Sequence, residues 1–146
     1  MNTYKQTNKT TKPRKEQPEF KLQCQVCEYI KLQYPKVKFL SDTIAFVKLT
    51  LPQQARNKRI QCTGFKCPDL IIFASRVVDG ERFYGLFIEL KAETPYKKDG
   101  FTLKSNEHIE AQSNDLDNLA AEGYFSTFAW SFEMSKSIID KYLKGI

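Results

Sequence analysis

The sequence predicts a mixed α/β domain with a central four-stranded sheet flanked by helices. Helical patterns occupy residues 19–34, 106–122 and 134–144. Patterns typical of strands occupy residues 37–51, 69–75, 82–91 and 124–132. The chain has 146 residues, which suits one such domain, because two halves would be too small to bury stable cores without staples.

The first third of the domain begins with a helix. Residues 19–34 carry apolar side chains at helical spacing, and Pro35 ends the run. Residues 37–51 alternate in places, which indicates one or two strands. Residues 52–66 are polar and basic, so we expect a loop or a short helix there.

Two strands joined by a tight turn follow. Residues 69–75 (DLIIFAS) form a nearly continuous apolar run, as expected for a strand covered on both faces. The second strand, residues 82–91 (RFYGLFIELK), comes after Asp79-Gly80, which is a hairpin turn signal. A basic loop at residues 92–105 then leads to the helix that Gly123 stops.

The N-terminal region differs from the rest in composition. Residues 1–15 hold five basic residues and no acid, whereas the remaining chain holds 18 basic and 17 acidic residues. This polar segment cannot offset its ordering entropy by burial. We therefore predict a disordered basic arm at residues 1–18 and a folded domain at residues 19–146. The arm either neutralises phosphates or serves as a solubilising tail. The candidate phosphate contacts in it are Lys12, Arg14 and Lys15.

No stretch of the sequence suits a membrane. There is no run of eighteen apolar residues, and the N-terminus lacks the apolar core of a secretory signal. We therefore expect a soluble protein of the cytoplasm with no membrane partner.

Four cysteines, with the spacings C-x2-C and C-x4-C, could outline a zinc site. Cys24 and Cys27 fall in a helical pattern without Gly or Pro, and Cys67 abuts Pro68 at a predicted strand entry. Plain thiols are therefore our interpretation, and without a secretory signal we expect no disulfides. A zinc-stabilised interaction domain, which would also use Cys62, stays open as an alternative.

The candidate chemistry lies at the open end of the predicted hairpin. Asp69 and Glu89 are each about ten residues from its turn, so they should stand roughly opposite each other. Strand alternation puts Glu89 and Lys91 on one face. Two close carboxylates repel unless a proton or cation lies between them, and oxygen ligands favour Mg²⁺ or Mn²⁺. Lys91 could orient a water or stabilise charge on a phosphate, which completes the parts that phosphodiester hydrolysis needs.

These residues also carry a family resemblance. Pro68-Asp69 followed by Glu89-Leu90-Lys91 resembles the PD-(D/E)xK nuclease superfamily, and more finely its VRR-NUC family. The resemblance extends from about Glu19 to Leu143. Its further matching positions are Glu19, Leu22, Gln23, Gln112, Leu119 and Gly123.

The resemblance implies a restriction-endonuclease-like core and a Mg²⁺- or Mn²⁺-dependent deoxyribonuclease. It implies a catalytic set of Asp69, Glu89, Lys91 and Gln112. The implied metal ligands are Glu19, Asp69, Glu89 and the backbone carbonyl of Leu90.

Stand-alone members of the family resemble branched-DNA nucleases, and some look like Holliday-junction resolvases. This implies DNA repair and recombination in a bacterial or phage-infected cell, with branched DNA as the substrate. Junction cutting calls for two sites, so a homodimer is also implied. The alternative from another class is a DNA-binding module of the same fold that has lost activity.

Glu19 can also be placed by the phase of the first helix. At about 100° per residue, its apolar stripe spans roughly −20° to +80° when Leu22 is set to zero. Glu19 falls at about 60°, inside the stripe, whereas Glu28 falls at about 240°, on the solvent side. An acid among core-facing positions is costly unless it is paired or bound to metal. We therefore expect Glu19, and not Glu28, to serve the metal site.

Two further groups of residues have open interpretations. Lys97, Lys98 and Lys104 lie in the basic loop and either contact phosphates beside the cleft or form a solvated surface. His108 lies one helical turn before Gln112, so it is either a phosphate contact or proton shuttle, or an ordinary surface or packing residue.

Overall fold

Four helices and six strands are present in the computed structural model, which describes residues 17–41 and 47–145. The described helices are α1 (Pro18–Gln33), α2 (Leu51–Ile60), α3 (Glu107–Ala121) and α4 (Phe132–Lys144). The described strands are β1 (Phe39–Ser41), β2 (Leu70–Ile72), β3 (Arg76–Val78), β4 (Glu81–Phe83), β5 (Leu86–Leu90) and β6 (Phe125–Ala129). The predicted arm lies outside the described residues up to residue 16.

The main sheet has four strands in the order β1-β2-β5-β6. The pairs β1–β2 and β2–β5 are antiparallel, whereas β5 and β6 are parallel. Parallel neighbours need a crossover, and α3 supplies it between β5 and β6. The predicted four-stranded mixed sheet flanked by helices is therefore confirmed.

The prediction of one continuous hairpin from two long strands, 69–75 and 82–91, is wrong, because each side of the hairpin consists of two short strands. Only β3 and β4 pair around the Asp79-Gly80 turn, and they form a separate two-stranded sheet. Asp79 and Gly80 both have positive φ angles, of 51° and 84°, as a tight hairpin turn requires. Three residues, 73–75, connect β2 to β3, whereas only two, 84–85, connect β4 to β5.

This unequal connection shifts the main sheet by one residue relative to the hairpin. Continuing the hairpin pairing outward would set Asp69 opposite Leu90. The observed pairing of Leu70 with Ile88 instead sets position 69 opposite Glu89. Because side chains alternate with a period of two, the shift decides which face of the sheet carries the Asp69 side chain.

The two faces of the sheet have different partners. On one face, α1 and α4 bury the apolar core with alternate residues of the strands. The α3 helix covers the other face, where the Ser126 hydroxyl donates to the carbonyl of Leu116 at 2.6 Å. The fully buried core residues include Val26, Ile30, Leu70, Ile72, Leu86, Ile88, Leu90, Ile139 and Tyr142.

Two segment predictions need correction. In residues 37–51 the described strand is β1 alone, residues 42–46 lie outside the described part, and Leu51 already begins α2. The α2 helix forms because Thr50 and Gln53 make a capping box, with Pro52 in the first turn. The last strand ends earlier than predicted, and α4 begins at Phe132 because Ser131 caps it.

Candidate active site

Asp69 directly precedes β2 and accepts two hydrogen bonds from neighbouring strands. Its Oδ2 accepts a hydrogen bond from the backbone N–H of Leu90 at 2.9 Å. Its carbonyl accepts from the Ser41 hydroxyl at 3.1 Å, and Ser41 in turn accepts from the Gln23 amide at 2.5 Å. Thus β5 holds the Asp69 carboxylate directly, while β1, supported by α1, holds the Asp69 backbone.

Glu89 and Gln112 face each other between β5 and α3. Each is only 5% exposed. The Gln112 amide N–H donates to Glu89 Oε1, while the Gln112 Oε1 atom is buried with no hydrogen-bond partner among the described residues. A buried acceptor left unpaired costs about 1–3 kcal/mol, so this oxygen is suited to receive a ligand.

Lys91 lies two residues after Glu89 and on the same face of the sheet. Its Nζ lies 3.8 Å from Glu89 Oε1, and its side chain is 12% exposed. The backbone N–H of Lys91 donates to the carbonyl of Ala129 at 2.8 Å, which continues the pairing of β5 and β6 past Leu90. The ammonium is therefore held beside the carboxylates by backbone pairing.

The electrostatics of the centre favour an added positive charge. Burial raises the pKa of Asp69 above its usual value, and Glu19 raises it further against the opposing effects of the Leu90 hydrogen bond and two lysines. Burial, followed by the charge of Asp69, raises the pKa of Glu89 to about 8. Near neutral pH the pair therefore holds a proton unless a cation takes its place.

Glu19 lies at the edge of this centre. It is half-buried in the first turn of α1 and lines a cavity of about 440 Å³ together with Lys91 and His108. Among the described residues, no three His, Cys, Asp or Glu side chains are close enough to hold one metal ion. Direct ligation by Glu19 therefore stays a prediction. Glu28 is exposed, as the helix phase predicts.

The cysteines do not gather into a site. Cys24, Cys27 and Cys67 are half-buried, Cys62 is exposed, and none of the four forms a disulfide. Burial raises the pKa of the Cys27 thiol. The four-thiol arrangement that a zinc-stabilised domain would need is not present among them.

The other predicted residues lie farther out. Lys97 and Lys98 are exposed, and Lys104 pairs with Glu93 at 3.5 Å. His108 is exposed at the mouth of the cavity, and burial, then the cations around it, lowers its pKa. The candidate phosphate contacts outside the described residues are Lys12, Arg14 and Lys15.

The sequence interpretation missed Ser41 and Lys66. The Lys66 cation lowers the pKa of both Asp69 and Glu89, which brings it into the electrostatics of the centre. Its backbone N–H donates to Asp115 Oδ2 at 3.2 Å, which ties the approach to β2 onto α3. Lys66 could have been identified from the sequence, because it lies three residues before Asp69. Nothing in the sequence pointed to Ser41, since its contact with Asp69 depends on strand pairing.

The residues of the centre fit a hard divalent cation. Asp69 and Glu89 supply carboxylate oxygens, and the unpaired Oε1 of Gln112 adds a neutral one. Oxygen donors of this kind suit Mg²⁺ and Mn²⁺. A cation would also relieve the repulsion that raises the pKa of both acids.

An α/β sheet with two opposed carboxylates and a lysine at one end defines a nuclease-like class of domain. A solved structure named VRR_NUC domain protein is similar over 90% of this chain and 92% of that chain, with a TM-score of 0.57 and 26% sequence identity. The resemblance to the VRR-NUC family and the nuclease-like fold class are thereby confirmed.

Neither a protein-family model nor a curated protein matches the sequence. None of the helices in the described ranges combines the length and the apolar character needed to cross a membrane.

Proposed function

We propose that this protein is a Mg²⁺- or Mn²⁺-dependent DNA endonuclease that hydrolyses phosphodiester bonds. The observation that carries the proposal is the position of Asp69 beside Glu89. The register of β2 and β5, continued by one residue, sets the two opposite each other, and Lys91 lies 3.8 Å from Glu89. The similarity to a VRR_NUC domain protein supports nuclease chemistry for this arrangement.

The side chains divide the work of the reaction. Asp69 and Glu89 would hold a divalent cation, which would supply charge neutralisation and Lewis-acid stabilisation. Asp69 is oriented by the Leu90 N–H, and Gln112 orients Glu89 from α3. The Lys91 ammonium stands ready to bind a phosphate oxygen and to stabilise the charge that develops there in the transition state. Glu19, which lines the same cavity as Lys91, would help to hold the cation.

Branched DNA is the substrate that we propose, in repair or recombination. This follows from the family resemblance to branched-DNA nucleases and Holliday-junction resolvases. A junction presents two strands to be cut, so the active form would be a homodimer with two equivalent sites.

The test is a cleavage panel of linear, nicked, flap, splayed and four-way-junction DNA with Mg²⁺ or Mn²⁺. We expect cleavage with either ion, preference for a branched substrate, and loss of activity in excess EDTA. The matched control is the Asp69→Asn, Glu89→Gln double variant. Tight DNA binding without cleavage of any substrate would instead identify an inactive DNA-binding module of this fold.

A further inference from the structure

The α2 helix is an isolated basic element. Among its residues only Asn57 is half-buried, and the rest are exposed, including Leu51 at 79% and Ile60 at 81%. It contributes nothing to the apolar core. Ten residues are fewer than the roughly 12–15 that an isolated helix needs to be stable in water. The Thr50 capping box therefore supports this helix, while burial against the apolar core does not.

The charge around α2 has one sign. Residues 43–68 contain five basic residues and no Asp or Glu. Three of the basic residues, Arg56, Lys58 and Arg59, lie on α2 itself. Within the described ranges none of these three pairs with a carboxylate, whereas Lys104 and Lys141 pair with Glu93 and Asp79. Unpaired, exposed cations on a helix suit a polyanion.

The helix is also within reach of the candidate active site. Residues 61–68 connect it to Asp69, and the nine steps along the chain from Ile60 to Asp69 span at most about 32 Å. One turn of duplex DNA is about 34 Å long. Lys66, on this connection, already acts on the charges of Asp69 and Glu89. A duplex that enters the centre can therefore contact α2 within the same helical turn.

We propose that α2 is a duplex-docking helix, whose Arg56, Lys58 and Arg59 bind the DNA backbone about one helical turn or less from the cleaved bond. This inference rests on the proposed nuclease function and adds the element that positions its substrate. These side chains would contact phosphates, so they would set the affinity for DNA and the position of the protein along the duplex. They would give no preference for a base sequence.

The test is fluorescence anisotropy of a labelled 20-base-pair duplex in EDTA, with binding measured between 50 and 200 mM salt. The test variant is Arg56→Gln, Lys58→Gln, Arg59→Gln. The matched control is Lys31→Gln, Lys36→Gln, Lys38→Gln, which removes the same charge from exposed positions in the last turn of α1 and just after it. A charge-preserving variant, Arg56→Lys, Lys58→Arg, Arg59→Lys, checks that α2 still folds.

We expect the test variant to lower the slope of log K against log salt by up to about 2.7, at about 0.9 for each neutralised phosphate. The control and the charge-preserving variant should keep the parental slope. If test and control variants behave alike while the parent binds and cleaves DNA, the docking role of α2 is wrong and the nuclease proposal stands. If the parent itself does not bind DNA, both proposals fail.

Discussion

The backbone N–H of Leu90 donates to Oδ2 of Asp69 at 2.9 Å, across the paired strands β2 and β5. This bond ties one proposed metal ligand to the strand that carries the other, so neither carboxylate can move without the sheet. Precision of this kind matters, because catalytic groups misplaced by about 1 Å can lose about 100-fold in rate. The predictions that follow depend on this coupling.

Asp69→Asn, Glu89→Gln and Lys91→Ala should each reduce cleavage by at least about 100-fold, as expected for loss of a group that stabilises the transition state. DNA binding should be largely kept, since most of it comes from phosphate contacts elsewhere. Single-turnover cleavage and anisotropy measure the two effects separately. The exposed acid Glu110, substituted by Gln, is the matched control. Normal turnover by folded Glu89→Gln protein would contradict the mechanism.

Glu89→Gln should stabilise the metal-free protein at pH 8. The pKa of Glu89 is raised from its usual value to about 8, so its contribution to folding is present in acid and is lost as pH rises through 8. Gln imitates the protonated acid. The Tm of the metal-free parent should therefore fall between pH 5 and 8 relative to Glu89→Gln, by about 2–4 °C for each kcal/mol. Mg²⁺ should raise the Tm of the parent alone. A less stable variant at pH 8 would refute this.

Glu19→Gln should impair cleavage and weaken Mg²⁺ dependence, whereas Glu28→Gln should not. Glu19 lines the cavity beside Lys91, and Glu28 is exposed on the opposite side of α1. Both substitutions remove one negative charge from the same helix, so each controls for the other. Cleavage rates in a Mg²⁺ titration decide the matter, and loss of activity in Glu28→Gln alone would reverse the assignment.

Deleting residues 1–15 should flatten the salt dependence of DNA binding. The segment holds five basic residues and no acid, and the log–log slope falls by about 0.9 for each phosphate that the protein no longer neutralises. Replacing the five basic residues by Gln in the full chain separates charge from length. An unchanged slope in both proteins would mean that the segment is only a tail.

The sequence sufficed to predict the four-stranded sheet, because apolar runs and strand alternation mark its strands. It placed Asp69 and Glu89 only roughly opposite each other, since their exact pairing depends on the one-residue shift between the hairpin and the main sheet. The sequence did not suffice to predict that the hairpin strands break at residues 73–75 and 84–85. The clue was Gly85, where a Cβ atom would lie 3.2 Å from the carbonyl of Ile72. That close approach of two backbones is visible only once the strands are paired.

The α2 helix and the supports of Asp69 show two other limits. The capping-box pattern of Thr50 and Gln53 was present in the sequence, but the basic composition of the segment left loop and helix equally open. Ser41 and Lys66 belong to no motif. They act on Asp69 through pairing and through space, so only tertiary structure brings them to the centre.

The one-residue shift between the hairpin and the main sheet also bears on how the chain folds. Strand pairing that spreads outward from the Asp79-Gly80 turn uses the most local contacts and should form fastest. It would pair Asp69 with Leu90, however, and so direct the Asp69 side chain toward the apolar core. Correct pairing must therefore wait for α1 and α4 to select the apolar face of β2. We expect pulse-labelled hydrogen exchange to show amides of β3 and β4 protected before those of β2, so that the catalytic geometry is among the last features to form. Simultaneous protection of all three strands would exclude this order.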